Sequence, residues 1–340
     1  MDMMKAAVFE REGTFVLKDV PIPVVEAEDQ IIVEVEACSI CGTDVHITAT
    51  PPGYIATPGT ILGHEFCGHV VAKGAAVKHL EIGDRVVANP NNYCGNCVFC
   101  RKNLPNECEH IEALGIDYDG AFAKYCKING KVAYKISESV PAEVAACVEP
   151  LACAVNGLKK INVKPGDSAV VIGCGPIGML IGMLLKASGA SKIYMLETVD
   201  YRIEFVKKLG IATRVLNPIK EDVPAIIAQE TGIGADFVLD VTGSQAVSSI
   251  NLVRKGGTVV LFGVNKRARA ELAQCEITTK EIAVLGTWLA NATFPEAVRI
   301  VEEKAIDVDA LVTDILPLEQ IHEGLKKLSA GQAVKVIIKP

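Results

Sequence analysis

Two kinds of hydrophobic patterning divide the chain. In the first part, apolar residues come in short runs of strand length, Lys5–Phe9, Gln30–Ala37, Phe66–Ala72 and Arg85–Ala88, broken by glycine, proline and aspartate. Turn residues at that density predict a β-rich unit rather than an alternation of strands and helices. From about residue 155 the pattern changes. Ala169–Ile172, Lys192–Leu196, Phe237–Val241 and Thr258–Phe262 are continuous apolar runs, and helix-compatible segments lie between them at Ile177–Ser188, Asp200–Leu209, Val223–Thr231 and Gln245–Val253. Strands apolar on both faces and separated by helices predict a parallel sheet with crossover helices. The end of the chain reads as two helices, Phe294–Glu303 and Leu318–Ser329, and then an apolar strand, Ala333–Ile338. Such a strand needs a sheet to pair with, and the first, β-rich unit is the expected one.

Composition narrows the classes. Half the residues are hydrophobic, enough for a core in each of two units, and the formal net charge is −7. An acidic chain without basic runs argues against nucleic acid and against a membrane surface as partners. The longest apolar stretch, Val170 to Leu185, contains Gly173, Gly175, Pro176, Gly178 and Gly182 and falls short of the ~20 residues of a bilayer span. The N-terminus has no cleavable signal pattern. Twelve cysteines in such a chain point to a reducing compartment, and the cytoplasm is the expected location.

Four of those cysteines form a cluster, Cys94-Gly-Asn-Cys97-Val-Phe-Cys100 followed by Cys108. Four thiolates so closely spaced can converge on one zinc ion and leave no position for water or substrate, so the site is expected to be structural. Two disulfides are the alternative, disfavoured where thiols stay reduced. Downstream, Gly173-Cys174-Gly175-Pro176-Ile177-Gly178 sets G-x-G-x-x-G after a buried strand and at the start of a helix. Gly173 permits the tight turn, Gly175 the approach of a pyrophosphate, and Gly178 close packing of helix on strand. The helix start around Pro176 and Ile177 then meets the phosphates. Glu197 follows the next strand, 19 residues after Gly178. An acid there accepts hydrogen bonds from the adenosine ribose and repels a 2′-phosphate, which favours NAD over NADP. Arg202 is the nearby group able to accommodate that phosphate. Val241, Gly263 and Val264 end later strands and are candidate cofactor contacts.

Cys41, His64 and Glu65 occur upstream, in Cys38-Ser-Ile-Cys41-Gly-Thr43-Asp44-Val-His46 and Gly63-His64-Glu65-Phe-Cys67-Gly68. A mixed sulfur, nitrogen and oxygen set with few protein ligands leaves a coordination position open, as catalysis requires. From spacing alone, a histidine beside a glutamate is as readily an ordinary packed pair.

These segments, in this order and over nearly the whole chain, resemble the zinc-dependent medium-chain dehydrogenase/reductase family. Glu149-Pro150-Leu151-Ala152-Cys153-Ala154 resembles the polyol and threonine dehydrogenase branches, which carry glutamate where animal alcohol dehydrogenases carry a cysteine ligand. The resemblance implies an α/β protein with a GroES-like β-rich catalytic domain, residues 1–154 completed by 290–340, and a Rossmann domain, residues 155–289, the active site lying in the cleft between them. It implies that Cys41 and His64 bind a catalytic zinc, with Glu65 as third ligand and Glu149 as a direct, water-mediated or alternating one. It further implies that Asp44 orients His64, that Thr43 and His46 relay a proton to solvent, and that each chain holds two zinc ions. The expected reaction is hydride transfer between a secondary alcohol and NAD, with the metal acting as Lewis acid.

Two branches compete for the substrate. Gly286-Thr-Trp288-Leu-Ala-Asn291-Ala-Thr-Phe294-Pro295-Glu296 resembles polyol and sugar-alcohol-phosphate dehydrogenases, whereas Gly115 to Ala123 and Glu197 to Arg202 resemble threonine dehydrogenases. A sugar alcohol or its phosphate is the expected substrate, with L-threonine 3-dehydrogenase as the alternative. A zinc-independent quinone or enoyl reductase is more distant, because such reductases usually lack the cysteine lobe. The branch also implies a homotetramer or homodimer joined through Rossmann-domain edges, around Thr258–Phe262 or Ile282–Trp288.

Overall fold

Strands buried on both faces need helices above and below them, and the middle of the chain is built that way. In the computed structural model, which describes residues 2–340, six strands form a wholly parallel sheet. Their spatial order is Arg214–Leu216, Lys192–Leu196, Ser168–Ile172, Ala235–Asp240, Val253–Leu261, Ala283–Gly286. The helices Pro176–Ala187, Asp200–Leu209, Val223–Thr231 and Ala246–Leu252 connect them. The chain starts at the middle strand, Ser168–Ile172, and winds outward first to one side and then to the other. That reversal creates a crevice at the carboxyl edge beside Ser168–Ile172, where doubly wound sheets bind ligands. Helix ends follow local rules: Asp222 caps Val223–Thr231 by accepting from Ala225 N at 3.1 Å, and Gly210 closes Asp200–Leu209 in the left-handed region.

The β-rich unit contains a seven-stranded sheet centred on Gln30–Ser39, which pairs with Glu65–Lys73, Tyr125–Asn129 and the terminal strand Lys335–Lys339. Ile337 and Ile338 lie opposite Ser39 and Cys38, so the last strand of the chain sits beside one of the first. A three-stranded sheet, Thr14–Pro21, Met3–Arg11 and Thr60–Ile61, and a two-stranded one, Asn91–Asn92 with Glu112–Ala113, belong to the same unit. Its core includes Phe66, Phe122, Leu62, Leu80 and Leu114, each buried.

The chain divides into two compact units, Met1–Ala152 with Ala290–Pro340, and Cys153–Leu289. Among the described residues no helix is long and apolar enough to cross a membrane. The strand expected at Thr258–Phe262 is longer, Val253–Leu261, because the chain passes straight from helix to strand at Val253.

Candidate functional site

Cys41, His64 and Glu65 meet in the β-rich unit, with one ligand atom of each within 4.8 Å of the others. Cys41 stands at the entry to the helix Gly42–Thr48, and His64 and Glu65 at the start of the strand Glu65–Lys73. Gly63, at φ +92°, turns the chain just before His64, and the segment 115–122 closes over it. A Cβ on Gly120 would lie 2.2 Å from the Gly63 carbonyl oxygen, so only glycine allows that approach.

Asp44 is wholly buried and does two things. Its Oδ2 accepts from Cys41 N at 2.8 Å, which fixes the backbone of that cysteine. Its Oδ1 faces His64 Nδ1 at 3.8 Å, and neither of these buried atoms has a hydrogen-bond partner. Burial works against the charged form of His64, but the Cys41 and Asp44 charges outweigh it and hold the imidazole well above its usual range. Burial pushes the Cys41 thiol up. A thiol, an imidazole turned toward a carboxylate and a buried glutamate in one pocket form a donor set chemically suited to a divalent cation.

One neighbour was not picked out in the sequence. Lys335, on the terminal strand and 2% exposed, forms an ion pair with Glu65, which is 1% exposed. Burial alone would lower the Lys335 pKa, yet the Glu65 carboxylate carries it upward. The signal was present: a lysine inside a strand apolar on both sides must find a buried partner. Glu149, on the helix Val148–Leu158, lies outside the 4.8 Å group, but its charge acts on His64. Thr43 and His46 sit on the Gly42–Thr48 helix, Thr43 partly buried and His46 exposed. Gly53 packs against the imidazole of His46, where a Cβ would come within 3.2 Å of Nδ1.

Cys94, Cys97, Cys100 and Cys108 also converge within 4.8 Å, and all four are free thiols. Backbone N–H groups of Cys94 and His110 point at Cys108 Sγ, each at 3.3 Å. The N–H groups of Cys100 and Glu109 draw the Cys97 thiol down to about 6. Thiolates supported by backbone donors fit a closed tetrahedral zinc site.

In the parallel-sheet unit, Gly173 takes φ +105° directly after the strand Ser168–Ile172. A Cβ on Gly178 would lie 2.0 Å from the Gly173 carbonyl oxygen, whereas Gly175 has open space where its Cβ would be. Pro176 begins a helix with no side-chain cap, and Ile177 and Gly178 follow it in the first turn. This leaves N–H groups of the first turn available for an anion. Glu197 is 8% exposed and accepts from Cys174 N at 3.0 Å, Thr198 N at 2.8 Å and Val199 N at 3.1 Å. It therefore staples the glycine turn to the following loop, and Arg202 Nη1 stands 3.7 Å away. Val241 donates its N–H to Ile172 O at 3.1 Å, joining the next strand end to the same turn. Gly263 packs so closely on the Thr242-Gly243 turn that a Cβ would be 2.2 Å from Gly243 N, and Val264 beyond it is exposed. Asp240, which the sequence did not single out, holds that turn by accepting from Thr242 N, Gly243 N and Gln245 N.

A nucleotide-binding sheet joined in one chain to a unit with an open cation site and a four-thiol lobe defines the class of metal-assisted, nicotinamide-dependent oxidoreductases. Comparison with known proteins gives the family. Residues 27–138 match the alcohol dehydrogenase GroES-like domain, and residues 176–303 match the zinc-binding dehydrogenase domain. D-arabinitol dehydrogenase 1 of Uromyces fabae is 33% identical over 99% of this chain and 97% of its own length. L-threonine 3-dehydrogenase of Caldanaerobacter subterraneus subsp. tengcongensis is 36% identical over the full length of both chains. A zinc-binding dehydrogenase of Sinorhizobium meliloti, solved with NADP bound, superposes with a TM-score of 0.93 at 32% identity over the full length of both. The chain belongs to the zinc-dependent medium-chain dehydrogenase family, with a GroES-like and a Rossmann-type domain, and is an oxidoreductase acting on alcohols with zinc and a nicotinamide cofactor.

Proposed function

We propose that this dehydrogenase interconverts a sugar alcohol, free or phosphorylated, and the corresponding ketose, with NAD(H) as its cofactor. The stretch Gly286–Phe294 carries the proposal. It offers Thr287, Trp288 and Asn291 and contains no charged residue. Thr287 Oγ1 is buried without a hydrogen-bond partner, which a ligand rich in hydroxyls would supply. A zwitterionic amino acid needs a countercharge for its carboxylate, as a polyol phosphate does for its phosphate, and none is available in this stretch, which supports a free polyol over L-threonine and leaves a phosphate to be met by a cation from elsewhere. The arabinitol-oxidising relative points the same way. The threonine-oxidising relative supplies the competing reading for the test.

In the proposed mechanism Cys41, His64 and Glu65, with Glu149 in support, would hold a zinc ion, which when bound would supply the Lewis acidity that eases deprotonation of the substrate hydroxyl. Asp44 fixes the Cys41 backbone and turns His64 so that its other ring nitrogen is free to ligate. Thr43 would accept the hydroxyl proton as it gives up its own along the relay, and His46, exposed at the surface, would take up the relayed proton and hand it to water. The turn Gly173–Gly178, including Pro176 and Ile177, holds the cofactor pyrophosphate. Glu197 and Arg202 address the adenosine ribose, and the Glu197 charge disfavours a 2′-phosphate. Val241, Gly263 and Val264 flank the nicotinamide end. Cys94, Cys97, Cys100 and Cys108 would hold a second zinc, with a structural role. The strand Ala283–Gly286 is an open, apolar sheet edge with Leu285 37% exposed, which supports a homodimer joined edge to edge, and a tetramer built on it. Twelve free thiols suit the cytoplasm.

The test is a panel of polyols, polyol phosphates and L-threonine, each with NAD and with NADP, using enzyme of known zinc content. A polyol or its phosphate should give the highest kcat/KM. Higher kcat/KM with L-threonine would overturn the substrate assignment. Glu197→Ala should raise the NADP to NAD ratio of kcat/KM at least about tenfold, as expected when a repelling charge is removed.

A further inference from the structure

Asn156 is buried, 3% exposed, in the helix Val148–Leu158. Its Nδ2 donates to two successive backbone carbonyls, Trp288 O at 3.1 Å and Leu289 O at 2.8 Å. In an extended chain, consecutive carbonyls point to opposite sides, so one amide group could not reach both. Leu289 takes φ +52°, the left-handed region that a branched side chain enters rarely, and this turns both carbonyls toward Asn156. The turn is therefore strained at Leu289 and clamped by one side chain. The neighbouring Gly157 tightens the same region, since a Cβ there would lie 2.8 Å from the Phe262 ring and 3.7 Å from Thr287 Cγ2. Thr287 N in turn donates to Leu261 O at 3.1 Å. Residues 156–157 thus brace two adjacent loops at the carboxyl edge of the parallel sheet, the one after Leu261 and the one bearing Trp288.

We propose that Asn156 is a positioning residue for substrate: it locks the left-handed turn at Leu289 and so sets where Trp288 presents its indole to the carbon chain of the alcohol. The proposal rests on the reading of Gly286–Phe294 as the substrate-facing stretch. A sugar alcohol alternates C–H faces and hydroxyls, and an indole face held still at one height accepts the C–H side. A turn free to relax from its strained conformation would lose that register and weaken substrate binding, while the glycine turn that holds the cofactor is untouched.

Trp288 is the only tryptophan in the chain, so intrinsic fluorescence reports this turn directly. Asn156→Asp keeps the shape and removes both donors, and Asn156→Ala removes the group. Both variants should raise the KM for the alcohol at least tenfold, leave the KM for NAD within twofold, and shift Trp288 emission with greater quenching by acrylamide. A lowered melting temperature with unchanged alcohol KM, or unchanged Trp288 emission, would overturn the clamp. Should the Asn156 variants fail to fold, Trp288→Ala gives the second arm. It should reproduce the rise in alcohol KM at nearly wild-type stability, and an unchanged KM overturns the proposal. If the wild-type enzyme oxidises L-threonine and no polyol, the polyol reading falls, and the same kinetic split measured with L-threonine decides the role of Asn156.

Discussion

The ion pair between Lys335 and Glu65 makes the chemistry of the pocket around Cys41 and His64 testable at single residues. Removing one partner of a buried pair strands the other charge and costs about 3–5 kcal/mol. In metal-free protein, Lys335→Met removes the cation bonded to Glu65 and leaves only the His64 imidazolium nearby, whereas bound zinc would take the place of the lost charge. The melting temperature should therefore fall more in the metal-free form than in the zinc-loaded form, and chelator competition should show zinc held at least about tenfold more tightly by the variant, a factor worth 1.4 kcal/mol. Equal destabilisation of both forms would mean that Glu65 does not face the metal. The glycine turn gives a second contrast. A Cβ on Gly178 collides with the Gly173 carbonyl oxygen, while one on Gly175 enters open space. Gly178→Ala should lower both stability and NAD affinity. Gly175→Ala should raise the KM for NAD about tenfold with little loss of melting temperature, because its Cβ fills only the space a pyrophosphate would use. Loss of stability in both variants would show that Gly175 is held by packing instead. Legibility at this scale was uneven. Cys41, His64 and Glu65 were singled out through the family resemblance, since from spacing alone a histidine beside a glutamate is as readily an ordinary packed pair. The second use of Glu197, as acceptor for three backbone N–H groups, depends on how the next loop folds back and leaves no mark in the sequence.

At the scale of elements, Asp236 ties three adjacent strands of the parallel sheet together. Its carboxylate accepts from Ser168 N and Ser168 Oγ, both at 2.8 Å, and from Arg254 Nε at 2.6 Å. Burial alone would raise its pKa, but the Arg254 and Ser168 contacts outweigh this and hold the carboxyl below its usual range. A depressed folded-state pKa means stability that is present above the unfolded value near 4 and disappears as pH falls through the folded value. Asp236→Asn should thus cost about 1.5–3 kcal/mol at neutral pH, the range for hydrogen bonds to a charged group. Thermal melts across pH should show the gap between variant and wild type closing below pH ~4. A gap that stayed constant with pH would place the effect in packing instead. The parallel strands were legible because burial on both faces makes them uninterrupted apolar runs, as in Ser168–Ile172, where every residue is buried. Thr14–Pro21 was not, since its residues are half-buried or exposed and give no alternation. The helix Gly42–Thr48 escaped notice for a related reason: at seven residues it carries Thr43, Asp44 and His46 in place of an apolar stripe.

For the molecule as a whole, the lobe Cys94–Cys108 is a test of how independently its two units hold together. The lobe contains only the four-residue helix Val98–Arg101 and the short turn Pro105–Glu107, too little regular structure to order itself without a cross-link. A metal held by the four thiolates would supply that cross-link, and its binding free energy would become folding free energy for the unit it belongs to. That unit is Met1–Ala152 with Ala290–Pro340, and its core is separate from the cluster around Val170, Tyr194, Leu196 and Val259. Cys100→Ser should therefore lower the melting temperature by roughly 2–4 °C per kcal/mol lost. Native-state hydrogen exchange should quicken in Gln30–Ser39 and Glu65–Lys73 and stay slow in Ser168–Ile172 and Lys192–Leu196, since local openings follow cooperative units. NAD should still bind, because the glycine turn and Glu197 lie in the unit whose protection is retained. Equal loss of protection in both sets of strands would mean that the two units open as one, and that the lobe stabilises the entire chain.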